Sequence, residues 1–209
     1  VEEVFGCISA GKEANVYYAM DPAKKELAVK IYKVETMVFK DPEDYIEGEF
    51  RFKRGYCRSS PFKLIQVWAE KEFRNLKRIK DAGINCPTPL IIKDNLIVME
   101  FLGKESKAFP RLKDVRMGVE EHAECYLEIV RLMRRLWREC RMVHGDLSPY
   151  NLLFNEGEIY IIDVSQSVEE DHPLSIEFLK RDMRNINNYY KQLGIHIFKI
   201  RSMFDRSEE

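Results

Sequence analysis

The stretch at residues 142–163 constrains this chain more than any other. It reads Met142-Val143-His144-Gly145-Asp146-Leu147-Ser148-Pro149-Tyr150-Asn151, an apolar run at 152–154, a polar turn at 155–158, and Ile159-Tyr160-Ile161-Ile162-Asp163. Gly145 and Pro149 break any helix, and two short apolar runs flank turn chemistry, so a loop followed by a β-hairpin is expected. A hairpin returns the chain to where it began. Asp163 is therefore expected beside the loop that bears Asp146 and Asn151, so that three oxygen-bearing side chains converge.

Hard cations such as Mg2+ take oxygen ligands, commonly one or two protein groups with phosphate oxygens completing the shell. A further carboxylate can hold a hydroxyl and accept its proton. The spacing is similar to the protein-kinase pattern His-Arg-Asp-x-x-x-x-Asn followed by the Asp of Asp-Phe-Gly. Gly145 stands where that pattern has Arg, and Asp163-Val164-Ser165 stands for Asp-Phe-Gly. A β-turn with solvated carboxylates would account for any one of these residues, but not for the constellation.

Composition enters as a set of exclusions. With 34 Lys plus Arg against 35 Asp plus Glu, the net charge of −1 makes no global case for nucleic-acid binding. A hydrophobic fraction of 45% over 209 residues suffices for one large domain or two small lobes. Five cysteines without Cys-x-x-Cys spacing read as reduced thiols of an intracellular, cytoplasmic protein with no zinc site. No apolar run reaches the length of a membrane span, and no signal peptide is evident at the N-terminus.

Residues 4–9, 16–20 and 27–32 read as three strands, the last two joined by a turn at Asp21-Pro22. Between the first two lies Ser9-Ala10-Gly11-Lys12-Glu13-Ala14-Asn15-Val16. Set on a kinase glycine loop, only Gly11 and Val16 match, although small residues still let backbone N–H groups approach phosphates. Taken alone it could equally be a plain hairpin turn. Ala28-Val29-Lys30-Ile31 strengthens the reading because it resembles the Val-Ala-Ile-Lys strand of kinases. A lysine within an apolar strand requires a partner. The helix expected at 66–81, with Phe73, Leu76 and Ile79 on one face, offers Glu70 and Glu72. Glu72 is preferred because it borders the apolar stripe.

Residues 35–63 form a charged, aromatic-rich insertion that includes Arg51-Phe52-Lys53-Arg54-Gly55-Tyr56. This pattern suits a local RNA contact or the packing of a long loop. Ser59 and Ser60 are candidate phosphoacceptors. Residues 90–92 and 96–101 form another antiparallel pair that breaks off at Leu102-Gly103; it is either an ordinary edge strand or, as in a two-lobed kinase, the hinge, where the backbone of Met99, Glu100 and Phe101 would read adenine. Residues 104–118 carry five basic residues without an apolar period and read as a mobile linker. Helices are expected at 120–140 and 174–193.

Together these pieces resemble the RIO family of atypical serine protein kinases, and the resemblance covers essentially the whole chain. It is carried by Gly11-Lys12-Glu13-Ala14-Asn15-Val16-Tyr17, Trp68-Ala69-Glu70-Lys71-Glu72-Phe73, His144-Gly145-Asp146-Leu147-Ser148-Pro149-Tyr150-Asn151 and Ile161-Ile162-Asp163-Val164-Ser165-Gln166-Ser167-Val168. No winged-helix pattern precedes Val4, as in the subfamily without that domain, and the short chain looks like an archaeal or trimmed version.

The resemblance implies an α+β, two-lobed minimal kinase fold without an activation segment: an N-lobe at 1–101, then hinge, linker and C-lobe at 102–209. It implies ATP with Mg2+ (or Mn2+) as cofactor and an autophosphorylating serine kinase that acts with the small ribosomal subunit or its precursor, away from any membrane. Residues 9–14 (Ser9, Ala10, Gly11, Lys12, Glu13 and Ala14) and Val16 would cover the triphosphate. Lys30, braced by Glu72, would hold the α and β phosphates. Asn151 and Asp163 would bind the metal, and Asp146 would orient and deprotonate the acceptor hydroxyl or a water. An aspartyl-phosphate, proposed for the family, would fall on Asp163. One rival, a small-molecule kinase of the aminoglycoside or choline type, needs a large helical subdomain, yet fewer than fifty residues follow Asp163. The other is a ribosome-assembly ATPase built from the same residues.

Overall fold

A computed structural model describes residues 1–34 and 61–198. Almost all of the aromatic insertion, with its basic motif and both candidate serines, lies outside the described residues. The chain divides into two compact units, Val1–Asp81 with Cys86–Phe109, and Ala82–Asn85 with Pro110–Glu209.

The first unit is built on an antiparallel sheet of β1 (Glu3–Ala10), β2 (Ala14–Met20), β3 (Glu26–Tyr32), β4 (Pro89–Lys93) and β5 (Leu96–Glu100), in the order β1-β2-β3-β5-β4. Turn chemistry sets the register. Asp21 Oδ1 accepts the backbone N–H groups of Ala23 and Lys25, both at 2.8 Å, and closes the β2–β3 connection. Asn95 donates its side-chain amide to the Tyr32 carbonyl at 2.7 Å, tying the β4–β5 turn to the end of β3.

Strand β3 is buried on both faces, as a central strand must be. Leu27 and Val29 pack with Ala19 and Val98 on one side, which leaves Ala28, Lys30 and Tyr32 on the other. Helix α1 (Pro61–Asp81) packs against β4 and β5. Among its buried positions, Ile65, Trp68, Ala69, Glu72, Leu76 and Ile79 follow the helical period, so Glu72 lies within the stripe and not merely beside it. The helix begins five residues earlier than the expected start at Gln66.

Residues 104–118 are not a featureless linker. Gly103–Lys104 (β6) and Lys107–Ala108 (β7) pair as a small hairpin, and Leu112–Asp114 forms one 3-10 turn around the buried Leu112. A hairpin this short is specified by its turn, with Glu105 and Ser106 both at positive φ, and leaves no apolar period to detect.

The second unit rests on helices α2 (Val119–Arg138) and α3 (Ser175–Gln192), joined by a hydrogen bond from the Tyr126 hydroxyl to Asn187 Oδ1 at 2.9 Å. Between them run β8 (Met142–Val143), β9 (Leu152–Asn155), β10 (Glu158–Ile161) and β11 (Val168–Glu169). The β9–β10 hairpin turns at Glu156 and Gly157, both at positive φ. Strand β11 pairs back onto β8, so the chain goes from Asp163 to α3 by a short tethered path with no intervening helix. Among the described residues no helix is long and apolar enough to cross a membrane.

Candidate active site

In the first unit, Lys30 Nζ meets Glu72 Oε1 at 2.7 Å, with side-chain exposures of 8% and 1%. At such depth an unpaired ammonium would be strongly disfavoured, and the carboxylate supplies both charge and acceptor. Tyr32, two residues on and therefore on the same face of β3, donates its hydroxyl to the other oxygen of Glu72. The Lys30 ammonium also lies 5.2 Å from the centre of the Tyr32 ring. Tyr32 is thus part of the lysine's setting, and only the two-residue alternation of the strand could have pointed to it. Glu70, the alternative partner, is exposed and pairs with Arg74 at 3.1 Å. The buried Lys71 places its ammonium 5.5 Å from the centre of the Trp68 ring.

The segment read as a phosphate-covering loop is a tight hairpin turn. Gly11 N–H donates to the Ala14 carbonyl at 3.0 Å, so that N–H is already used within the turn. A Cβ at Gly11 would press on the same carbonyl at 3.0 Å. Ser9 pairs with Val16 and Ala10 with Asn15 in the ladder. Lys12 is exposed, Glu13 half-buried and Ala14 buried. Lys33 closes the base of the turn, donating its ammonium to the Gly11 carbonyl at 2.7 Å and its backbone N–H to that of Glu13 at 2.8 Å.

On and just after the inner strand β5, Met99 and Phe101 are buried. Glu100 N–H is spent on the Thr88 carbonyl at 2.9 Å, so it is not the group that reads a base. Burial would raise the Glu100 carboxyl, but the Thr88 N–H and hydroxyl donate to it and Lys80 lies close, which together bring it below its ordinary range.

In the second unit the 144–151 loop and the segment after β10 are tied together. Asn151 donates its amide to the backbone carbonyl of Asp146 at 2.8 Å and to Asp146 Oδ2 at 3.1 Å. Ile162 N–H donates to the Asn151 carbonyl at 3.1 Å. The His144 ring spans the same gap, with Nε2 3.1 Å from the Ile162 carbonyl and Nδ1 accepting the Asp146 N–H at 3.3 Å. A neutral ring protonated on Nε2 satisfies both contacts. These ties bring Asp146, Asn151 and Asp163 together. Burial raises the Asp146 carboxyl above its ordinary value, and the negative charge of Asp163 adds to the effect.

Two residues of this arrangement went unnoticed in the sequence. Asp182, on α3 and 1% exposed, accepts Gly145 N–H at 2.8 Å and Leu147 N–H at 2.9 Å, one on either side of Asp146. Burial pushes its carboxyl up to about 6. Its neighbour in sequence, Arg181, donates to the Gly145 carbonyl and stacks 4.7 Å over the Phe178 ring. Gly145 itself has φ +82°, and a Cβ there would lie 2.5 Å from the Gln166 carbonyl oxygen. The backbone thus excludes a side chain where the kinase pattern has Arg, and an arginine reaches this carbonyl from α3 instead.

Among the described residues no three His, Cys, Asp or Glu side chains cluster into a self-sufficient metal cage. What Asn151 and Asp163 offer is an amide carbonyl and a carboxylate. The Asn151 nitrogen is committed to Asp146, which turns its oxygen the other way. Two hard oxygen donors suit Mg2+ or Mn2+ with phosphate oxygens filling the shell.

The chain is 51% identical over 203 residues to the serine/threonine-protein kinase rio1 of Dictyostelium discoideum, covering 97% of this chain and 35% of that protein. It is 45% identical over 205 residues to human serine/threonine-protein kinase RIO1, covering 98% and 36%. It therefore spans about a third of the length of these relatives. A crystal structure of the Rio2 kinase–ADP/Mg2+–phosphoaspartate complex from Chaetomium thermophilum shares the fold, with a TM-score of 0.75 at 22% identity, over 95% of this chain and 59% of that one. The model of the RIO domain matches residues 15–203. The chain belongs to the RIO domain family.

Proposed function

We propose that this chain carries out ATP- and Mg2+-dependent phosphoryl transfer as an atypical serine protein kinase. The observation that carries the reading is the tied loop of the second unit, in which Asn151 holds Asp146 and the Ile162 backbone immediately before Asp163. Lys30, fixed by Glu72 and Tyr32, would bind the α and β phosphates. Asn151 and Asp163 would hold the divalent cation, which neutralises charge on the phosphates when bound. Asp146 would orient a serine hydroxyl or a water and take its proton. Residues 9–16 would cover the phosphates, and the backbone at 99–101 would face the base. The names of the relatives support a kinase, and the ADP, Mg2+ and phosphoaspartate of the Rio2 complex support the nucleotide and metal.

A second reading is favoured by the path from Asp163 through β11 to α3, which offers no platform for a peptide. On it the domain works chiefly as an ATPase with a transient aspartyl-phosphate on Asp163, in the maturation of the small ribosomal subunit in the cytoplasm. A single-turnover reaction with γ-labelled ATP and Mg2+, with and without small-subunit precursors, separates the two. Label on serine of this chain or of a ribosomal protein supports the kinase. Free phosphate stimulated by the particle, with at most a base-labile acyl-phosphate on the chain, supports the ATPase. Neither label nor phosphate would refute both.

A further inference from the structure

We propose that Ser165 is the positioning residue that orients the Asp163 carboxylate toward the divalent cation, a role that rests on the reading of Asp163 as a metal-binding residue. Asp163 occupies an unusual backbone conformation, with φ +57° in the left-handed region. The chain on either side of it is fixed. Before it, Ile162 donates to Asn151 and accepts from His144. After it, Val164 is fully buried, Ser167 N–H returns to the Val164 carbonyl at 3.2 Å, and Val168 enters the β11–β8 pair.

With the backbone held, what remains to be set is the rotation of the Asp163 side chain. Ser165 sets it. Its hydroxyl donates to Asp163 Oδ1 at 3.0 Å, and the residue is 1% exposed. A buried hydroxyl without an acceptor is costly, so the serine and the carboxylate hold one another. A cation that takes only one or two protein oxygens needs each at a defined position, and a donor on one oxygen of a carboxylate fixes the direction of the other. Partners of this kind, hydrogen-bonded to a metal-binding group, alter metal affinity on the order of 10- to 100-fold when removed. Ser165 is two residues beyond Asp163 and its one hydroxyl proton is given to that carboxylate; it acts through the aspartate.

The test measures metal binding directly. Ser165→Ala removes the hydroxyl, and Ser165→Cys nearly keeps the volume while replacing it with a weak donor. Mn2+ binding in the presence of ADP, followed by the electron paramagnetic resonance of free Mn2+, is compared with ADP binding in the absence of metal. Thermal unfolding without metal or nucleotide identifies which variants fold, and Ser165→Cys decides the matter where Ser165→Ala does not fold. The expected result is a Mn2+ dissociation constant raised roughly tenfold, unchanged metal-free ADP binding, and single-turnover rates restored by excess Mg2+. Unchanged Mn2+ affinity in a folded variant overturns the role, as does a rate loss that excess Mg2+ fails to restore. Asp163→Asn separates the two layers. If it binds Mn2+ like the parent chain, the metal reading of Asp163 fails and the role of Ser165 with it. If it loses Mn2+ while the Ser165 variants do not, only the role of Ser165 fails.

Discussion

Asp182 of α3 accepts the N–H of Gly145 at 2.8 Å, and its second oxygen takes the N–H of Leu147 at 2.9 Å, so one buried carboxylate brackets the backbone of Asp146. The loop is held from α3 as well as by its own side chains. Replacing Asp182 with Asn turns one acceptor into a donor that faces an N–H. Asp182→Asn should lower stability by about 1–3 kcal/mol through the orphaned backbone donor. It should also slow phosphoryl transfer on the order of tenfold or more through misplacement of Asp146. Thermal unfolding and single-turnover kinetics check the two effects separately.

The same carboxylate gives a pH dependence whose sign can be worked out. Its folded-state value of about 6 lies above its ordinary 3.8. Within that window the folded chain binds more protons than the unfolded one, so the contribution of Asp182 to stability falls as pH rises and grows as pH falls. Protonation nevertheless converts one of its two acceptors into a donor. Asp146, also raised by burial, must be ionised to take a proton. Activity should therefore fall on acidification as Asp182 and Asp146 take up protons, while the protonation of Asp182 does not lower the unfolding temperature. Parallel pH profiles of rate and of thermal unfolding test this separation.

Glu72 is bonded to both Lys30 and Tyr32, and the two contacts should respond differently to substitution. Glu72→Gln takes the carboxylate charge away from the buried Lys30 ammonium, which should cost about 3–5 kcal/mol and weaken ATP binding. Tyr32→Phe removes one hydroxyl donor and keeps the ring, for a loss of about 0.5–1.5 kcal/mol with Lys30 still paired. Denaturant unfolding and ATP titration of both variants measure the difference.

What was legible in the sequence was whatever a local rule exposes. Lys30 in an apolar strand demanded a partner, the helical stripe of α1 pointed to Glu72, and the spacing of Asp146, Asn151 and Asp163 together with a turn brought the last of these back to the loop. The contacts missed are those made across long separations to backbone groups, which leave no mark on composition or period. Asp182 and Arg181 meet Gly145 from α3, more than thirty residues away. The two-residue strands β8 and β11, and the β6–β7 hairpin in what read as a linker, are too short to show alternation. Gly145 was visible as a departure from the kinase pattern, but its cause, the Gln166 carbonyl, was not.

The most direct test of the central claim is Asp146→Ala. The account predicts that phosphoryl transfer in a single turnover with γ-labelled ATP falls about 10²- to 10⁴-fold, while ATP affinity is largely kept. Full phosphoryl transfer by a folded Asp146→Ala chain would contradict the account.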